Sequence, residues 1–538
     1  MAAQGIAGAR ETQMQKALCA AALAVVVMAA PASAKTFRWA NDADVDSLDP
    51  YVRQEVFLLS FDSNIYEPLV RRDRNLRLEP ALATQWSQPA PDVWRFTLRP
   101  GAAFQDGTPF RADDVLFSYD RATGPGSRIA GAVATVKEVR KIDDHTVEFV
   151  TKGPDPLLPE EIAVWDMMSK AWCEKNDAAH AADIAKGEEN YATDHANGTG
   201  PFMLKNRRRD AQTVLAKNPA WWDRPEHNLD EVVFRPIAEP EARAAALLAG
   251  DIDMVYGVPA QEIDAIAKAP HLRIIQGPEL RTIYLGLAVG RSELQMSSVK
   301  GKNPFQDIRV RKAFYQAIDE DAIKARVMRG FAVPTALMVG PGVNGFDPAL
   351  NKRLLPYDPE AAKKLLAQAG YPDGFEVGMD CPNDRYVNDE GICQAVVAML
   401  AKIGVKVDAL IQTRAKYFAK VLGGYNTDFF LLGWAPAATE DAQDMLTNVL
   451  ATRSGKGRGD FNAGGYSNPA LDTLIDKIQV ETDKEKRQAM LREALKLAKE
   501  DVPTIPLHQQ VLVWAARDDV DLVQPADNFF PLRYVRMK

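Results

Sequence analysis

Glu440, Asp441 and Asp444 follow an aromatic residue, Trp434, inside the run YNTDFFLLGWAPAATEDAQDM that spans residues 425–445. Carboxylates grouped this closely could pair with a cationic group, and an indole ring could stack on a ligand. The same residues also suit a plainer role. Trp434 could be a core ring, and the acids could mark a helix N-terminus, where the helix dipole favours negative charge. Residue types alone do not choose between these readings. A second loop, residues 382–386, contains Asn383 and Arg385. The planar fork of an arginine matches a carboxylate, although an exposed loop arginine has the same appearance. Tyr51 closes the turn at residues 46–51, just beyond an opening strand at 36–40.

Other chemistry is missing. The chain has no G-x-S-x-G elbow, no H-E-x-x-H, no Walker A loop and no cysteines at zinc spacing. His145, His180, His195, His227, His271 and His508 are scattered, with no i, i+4 pair among them. No cofactor, metal site or catalytic residue is expected. The pair Trp221-Trp222 could be a sugar platform or a packing anchor, and the latter is favoured. Gly198 and Gly200 could cradle a phosphate, but their spacing does not continue as a dinucleotide site, which favours a sharp turn.

A chain of 538 residues is too long for one core and suggests two or three domains. A net charge of −8 argues against nucleic acid as a partner. Lys16 precedes an apolar run at 17–30. Pro31 breaks the run, and Ala32-Ser33-Ala34 is a small-x-small cleavage pattern before Lys35. Residues 1–34 therefore read as a secretory signal peptide, with Met14 an alternative start. The run is shorter than the roughly 20 residues a spanning helix needs, so the mature chain is expected to be exported. In an oxidising compartment Cys381 and Cys393 could form a disulfide, if the helix starting near 389 folds back on the strand ending at Cys381. Cys173 is then a buried leftover thiol.

The elements that must position these residues alternate in type. Residues 428–432 read as a buried strand, with Gly433 turning the chain after it. Hairpins are expected at 69–72/76–78 and 136–142/146–151. A strand is expected at 282–287, a natural place to cross between lobes. Helices are expected at 309–318, 358–370, 389–403 and 483–499, before strands return at 505–507 and 511–515. This alternation predicts an α/β chain with a largely parallel core.

Seven blocks, in order, carry a resemblance: 78–83 (LEPALA), 94–119 (WRFTLRPGAAFQDGTPFRADDVLFSY), 198–202 (GTGPF), 307–313 (DIRVRKA), 357–362 (YDPEAA), Gly433-Trp434, and 466–472 (YSNPALD). The chain resembles the periplasmic solute-binding proteins of oligopeptide, dipeptide and nickel ABC importers, the family 5 extracellular solute-binding proteins. The resemblance implies a two-lobed fold with a hinge and an extra domain inserted in lobe one. Lobe one would be 35–78, 197–285 and 505–538, the β-rich insertion 79–196, and lobe two 286–504. It implies a monomeric periplasmic protein, not an enzyme. Such a protein closes on a small-molecule or peptide ligand and delivers it to an inner-membrane permease. The ligand-binding residues would be Tyr51, Asn383, Arg385, Trp434, Ala437, Glu440 and Asp441. In peptide binders of the family, an aspartate three residues after the Gly-Trp tryptophan holds the α-amino group. Here that position is Ala437. Either Glu440 or Asp441 substitutes, or the ligand lacks a free amine, as an opine, sugar derivative or metal chelate could; a periplasmic hydrolase is the remaining alternative to a binding protein.

Overall fold

Strands of both ends of the chain join one large sheet. The computed structural model of the chain describes residues 34–53, 55–258, 261–436, 439–454 and 457–538. The predicted leader segment therefore lies outside the described residues, except Ala34, and so does Ala437. The strands are β1 (Thr36–Asn41), β2 (Val70–Arg72), β3 (Leu78–Pro80), β4 (Ala83–Ala90), β5 (Val93–Leu98), β6 (Val136–Asp143), β7 (Thr146–Thr151), β8 (Phe202–Arg208), β9 (Gln212–Lys217), β10 (Glu231–Pro236), β11 (Met254–Val255), β12 (Leu272–Leu287), β13 (Ala332–Pro334), β14 (Glu376–Pro382), β15 (Lys406–Gln412), β16 (Phe429–Trp434) and β17 (Thr504–Arg517). The large sheet has the order β15-β14-β16-β12-β17-β11-β1-β10-β9-β8, with β13 also paired to β17.

Two strands traverse this sheet from one lobe to the other. Residues 272–278 of β12 pair with 511–517 of β17 on the side of β11 and β1. Residues 282–286 pair with 504–509 on the side of β16. The register shifts between Pro278 and Thr282. Proline lacks the N–H that a ladder needs, so a break is expected beside it. The crossing at 279–281 is thus the place where the two lobes are joined.

Side-chain alternation along β16 explains lobe two. Phe429 and Leu431 face one buried cluster, with Phe314, Val396 and Leu400. Phe430 and Leu432 face another, with Met445, Leu471 and Leu495. A strand covered on both faces has no polar alternation to show. On the other side of the crossing, one cluster joins Phe37, Trp39 and Phe234 to Phe96, Phe149 and Trp165. The four-stranded sheet β4-β5-β7-β6 therefore shares its core with lobe one.

One local expectation changes. Gly433 does not turn the chain; it stays extended in β16, opposite Ile283. A Cβ there would lie 2.7 Å from Ile283 and 2.8 Å from the Tyr386 ring, so the glycine makes room for a tyrosine. The Gly198–Gly200 turn is a close backbone contact: a Cβ on Gly198 would lie 2.0 Å from the carbonyl oxygen of Ile65. Both indole N–H groups of Trp221 and Trp222 donate to Glu67, at 3.1 and 2.6 Å, which makes the pair a packing anchor. Helix Asp389–Ala401 packs on β14 and β15. It carries Cys393 to Cys381, and the two are disulfide-bonded with Cα atoms 6.5 Å apart. Cys173 is free and buried, and burial pushes its thiol up to about 12.

Candidate functional site

Strand directions place a site at the crossing. β16 runs antiparallel to β12, from Leu287 toward Thr282, so its C-terminal end points at lobe one. β14 runs parallel to β16 and ends on the same side. In lobe one, β1 and β11 run parallel, with β11 antiparallel to β17, so their ends point at lobe two. Ligands of open α/β sheets lie beyond the carboxyl ends of strands, and here two such rims face each other.

The floor is polar and ordered. Glu279 accepts a bond from Arg281 Nε at 3.2 Å and from Gln510 Nε2 at 2.7 Å. The backbone N–H of Val387 donates to Gln510 Oε1 at 3.3 Å, tying the loop after β14 to β17. Tyr386 is buried against Gly433, its hydroxyl 3.4 Å from the Gly433 carbonyl oxygen. The Arg385 guanidinium lies 5.1 Å from the Tyr386 ring centroid. Loss of surrounding water, then the positive fields of Arg281 and Arg414, lower the affinity of Arg385 for its proton. Its side chain reaches solvent, and no carboxylate of the described residues pairs with it. Asn383 is exposed beside it, its backbone N–H donating to the Gln412 carbonyl at 3.0 Å.

Beyond β16 the predicted residues separate into different roles. Trp434 is half-buried, with its ring 4.4 Å from Phe461 and its Nε1–H donating to Asp444 at 2.9 Å. Burial pushes Asp444 up to about 6. Asp441 does not face a cleft. Both of its oxygens bind the Arg487 guanidinium, at 2.7 and 2.8 Å, and one also caps the helix Ala442–Met445 through Gln443 N–H. Asn344 adds a third donor at 2.7 Å. A carboxylate so fully engaged has nothing to offer a ligand. Glu440 takes a left-handed backbone, φ 53°, and its carboxylate lies 3.0 Å from Arg72 Nε. Tyr51 is wholly buried. Its hydroxyl donates to the Asp166 carbonyl and accepts from Trp165 Nε1, and Arg121 lies over its ring. The turn that ends in Tyr51 is tucked under the inserted sheet, away from the crossing.

A cavity of about 90 Å³ opens in lobe one, lined by Glu67, Asp166, Asp527, Arg71, Arg72 and Arg533 among others. None of these was singled out in the sequence. Nor were Glu279, Arg281 and Gln510, although Pro278 inside an otherwise regular strand was a signal for the break they flank.

The family described as Bacterial extracellular solute-binding proteins, family 5 Middle, matches residues 77–456. The chain belongs to this family. Among its relatives, the glutathione-binding protein GsiB of Pectobacterium atrosepticum is 26% identical over 518 residues, covering 94% of each chain. GsiB of Salmonella typhimurium is 26% identical over 511 residues, covering 93% of this chain and 94% of that one. Among solved structures, the periplasmic binding protein DppA of Helicobacter pylori, in complex with the peptide STSA, is 25% identical with a TM-score of 0.71, covering 93% of this chain and 98% of that one. HbpA2 of Haemophilus parasuis shares the fold with a TM-score of 0.79 at 22% identity, over 94% of this chain and 100% of that one. This solute-binding protein therefore has the two-lobed periplasmic binding protein fold. Among its described residues, no helix is long and apolar enough to cross a membrane.

Proposed function

We propose that this solute-binding protein captures a small peptide-like solute with a free carboxylate at the crossing of its two lobes. The observation that carries the reading is Arg385. It stands at the rim of β14, beside Arg281, with no acid of its own among the described residues. A planar guanidinium grips a carboxylate through two parallel bonds. The named ligands of the relatives support the same class: glutathione for GsiB and a peptide for DppA. Trp434 and Asn383 would line the remaining wall. Contacts with both rims would favour closure, since a ligand shifts the open–closed balance by its preference for one state. In the periplasm the closed protein, acting as a monomer, would then deliver its solute, unaltered, to an inner-membrane permease.

Titration calorimetry with glutathione, Ala-Ala and Ala-Ala-Ala tests this reading. A one-to-one complex with at least one of them, and recovery of that compound intact, is expected. Absence of heat with all three, or chemical conversion of a bound one, overturns it.

A further inference from the structure

The 90 Å³ cavity of lobe one contains an imbalance that the hinge residues do not explain. Its three guanidiniums all have carboxylate partners. Arg71 pairs with Glu67, Glu79 and Asp223; Arg72 with Glu440; and Arg533 with Glu79. Glu67 is satisfied in turn by Arg71, Thr199 and both indoles of the Trp221-Trp222 pair. Asp166 is different. It is 4% exposed and lines the cavity, and no described residue gives its carboxyl group a hydrogen bond or an ion pair. Asp527, 9% exposed, also lines the cavity; one of its oxygens accepts a bond from the Phe529 N–H, and no cation pairs with it at salt-bridge distance among the described residues. Buried carboxyl groups are ordinarily hydrogen-bonded or paired, and an unpaired one marks a place where a partner is missing.

We propose that this cavity receives the ammonium group of the solute, with Asp166 as the principal counter-charge and Asp527 as the second. The inference rests on the reading of a solute held between the lobes, since Arg72 lines the cavity and also reaches Glu440 in the loop after β16. The volume is several times the roughly 10–15 Å³ of such space that a single water needs. It suits an ammonium on a short carbon stem, and Leu59, Val164 and Phe529 supply apolar wall for that stem. The solute class narrows accordingly to one with a primary amine at one end and a carboxylate at the other. The amine handle would lie in lobe one rather than in the loop where Ala437 stands.

The test compares glutathione and Ala-Ala with their N-acetyl forms by calorimetry, on the wild type, Asp166→Asn and Asp527→Asn. Circular dichroism and thermal midpoints check that each variant is folded. The wild type is expected to bind the free amine at least tenfold more tightly than the acetylated form, and Asp166→Asn to lose most of that preference. Asp527→Asn is expected to lose a smaller part. If free and acetylated forms bind the wild type equally, or folded Asp166→Asn keeps the full preference, the cavity does not hold the amine, while the Arg385 reading stands. If neither compound binds the wild type in any form, both readings fall together.

Discussion

The Arg72 side chain, on the lobe that holds Leu69 and Val70 in its core, lies 3.0 Å from the Glu440 carboxylate on the opposite lobe. Beside them Leu76, at the tip of the β2–β3 hairpin, is buried in the cluster of Tyr284, Met445 and Leu471. The two contacts together fasten the lobes on the side of the β16 loop. Glu440→Gln, with the double variant Glu440→Gln/Leu76→Ala, should expand the unliganded protein. Small-angle scattering would read this as a larger radius of gyration, and an unchanged radius in the double variant would show that these contacts do not hold the lobes.

The same interface predicts a pH dependence. Burial pushes Glu440 up to about 8, Arg72 offsetting it only in part; burial also pushes Glu160 to about 7 and Asp527 to about 6. A carboxyl raised in the folded state prefers to keep its proton there. Its stabilising contribution is whole below its unfolded value and is lost as pH rises through the folded one. The thermal midpoint should therefore increase from about pH 8 down to about pH 6.5. Below 6.5 buried His508, held near 4 by burial, opposes the trend, because its neutral folded form loses to a charged unfolded one. Glu440→Gln should flatten the upper part of the curve in a calorimetric scan.

Asp441→Asn should destabilise the protein regardless of ligand. The substitution leaves Arg487 buried with half of its partner gone. Breaking a buried pair from one side costs about 3 kcal/mol or more. A denaturant midpoint unchanged from the wild type would refute this structural role.

Trp434→Phe should keep the contact with Phe461 but lose the bond to Asp444. The expected loss of stability is about 1 kcal/mol. Ligand affinity measured alongside separates the two roles of the ring. A drop in affinity beyond the stability change means that the indole touches the solute.

Reduction of the Cys381–Cys393 bond, which closes a separation of 12 residues, should lower stability by about 3 kcal/mol on the chain-entropy model. Thermal midpoints with and without reductant, and of Cys381→Ser/Cys393→Ser, measure it.

Local chemistry was legible where a residue's role depends on its neighbours in sequence. The strand at 428–432 appeared from apolar density, and the hairpins from their turns. The fold-back of the helix starting near 389 onto the strand that ends at Cys381 was readable as well. The role of Asp441 was not, because Arg487 lies 46 positions away and nothing local announces the pair. Gly433 looked like a turn because the Tyr386 ring that requires a glycine there comes from another strand's loop. Asp166 and Asp527 appear ordinary in sequence; only a fold that withholds a partner makes them conspicuous.

The crossing has a mechanical consequence. β12 and β17 are hydrogen-bonded to each other on both sides of the register shift. A ribbon of two bonded strands bends readily out of its own plane and resists shear within it. The lobes are thus free to swing about one axis and constrained against sliding past each other. Because the inserted sheet shares its core with lobe one, it must travel as ballast with that lobe. If the Arg385 rim and the Asp166 cavity hold the two charged ends of a solute as proposed, such a hinge would bring them to the same relative alignment at every closure and so gauge the length of the solute.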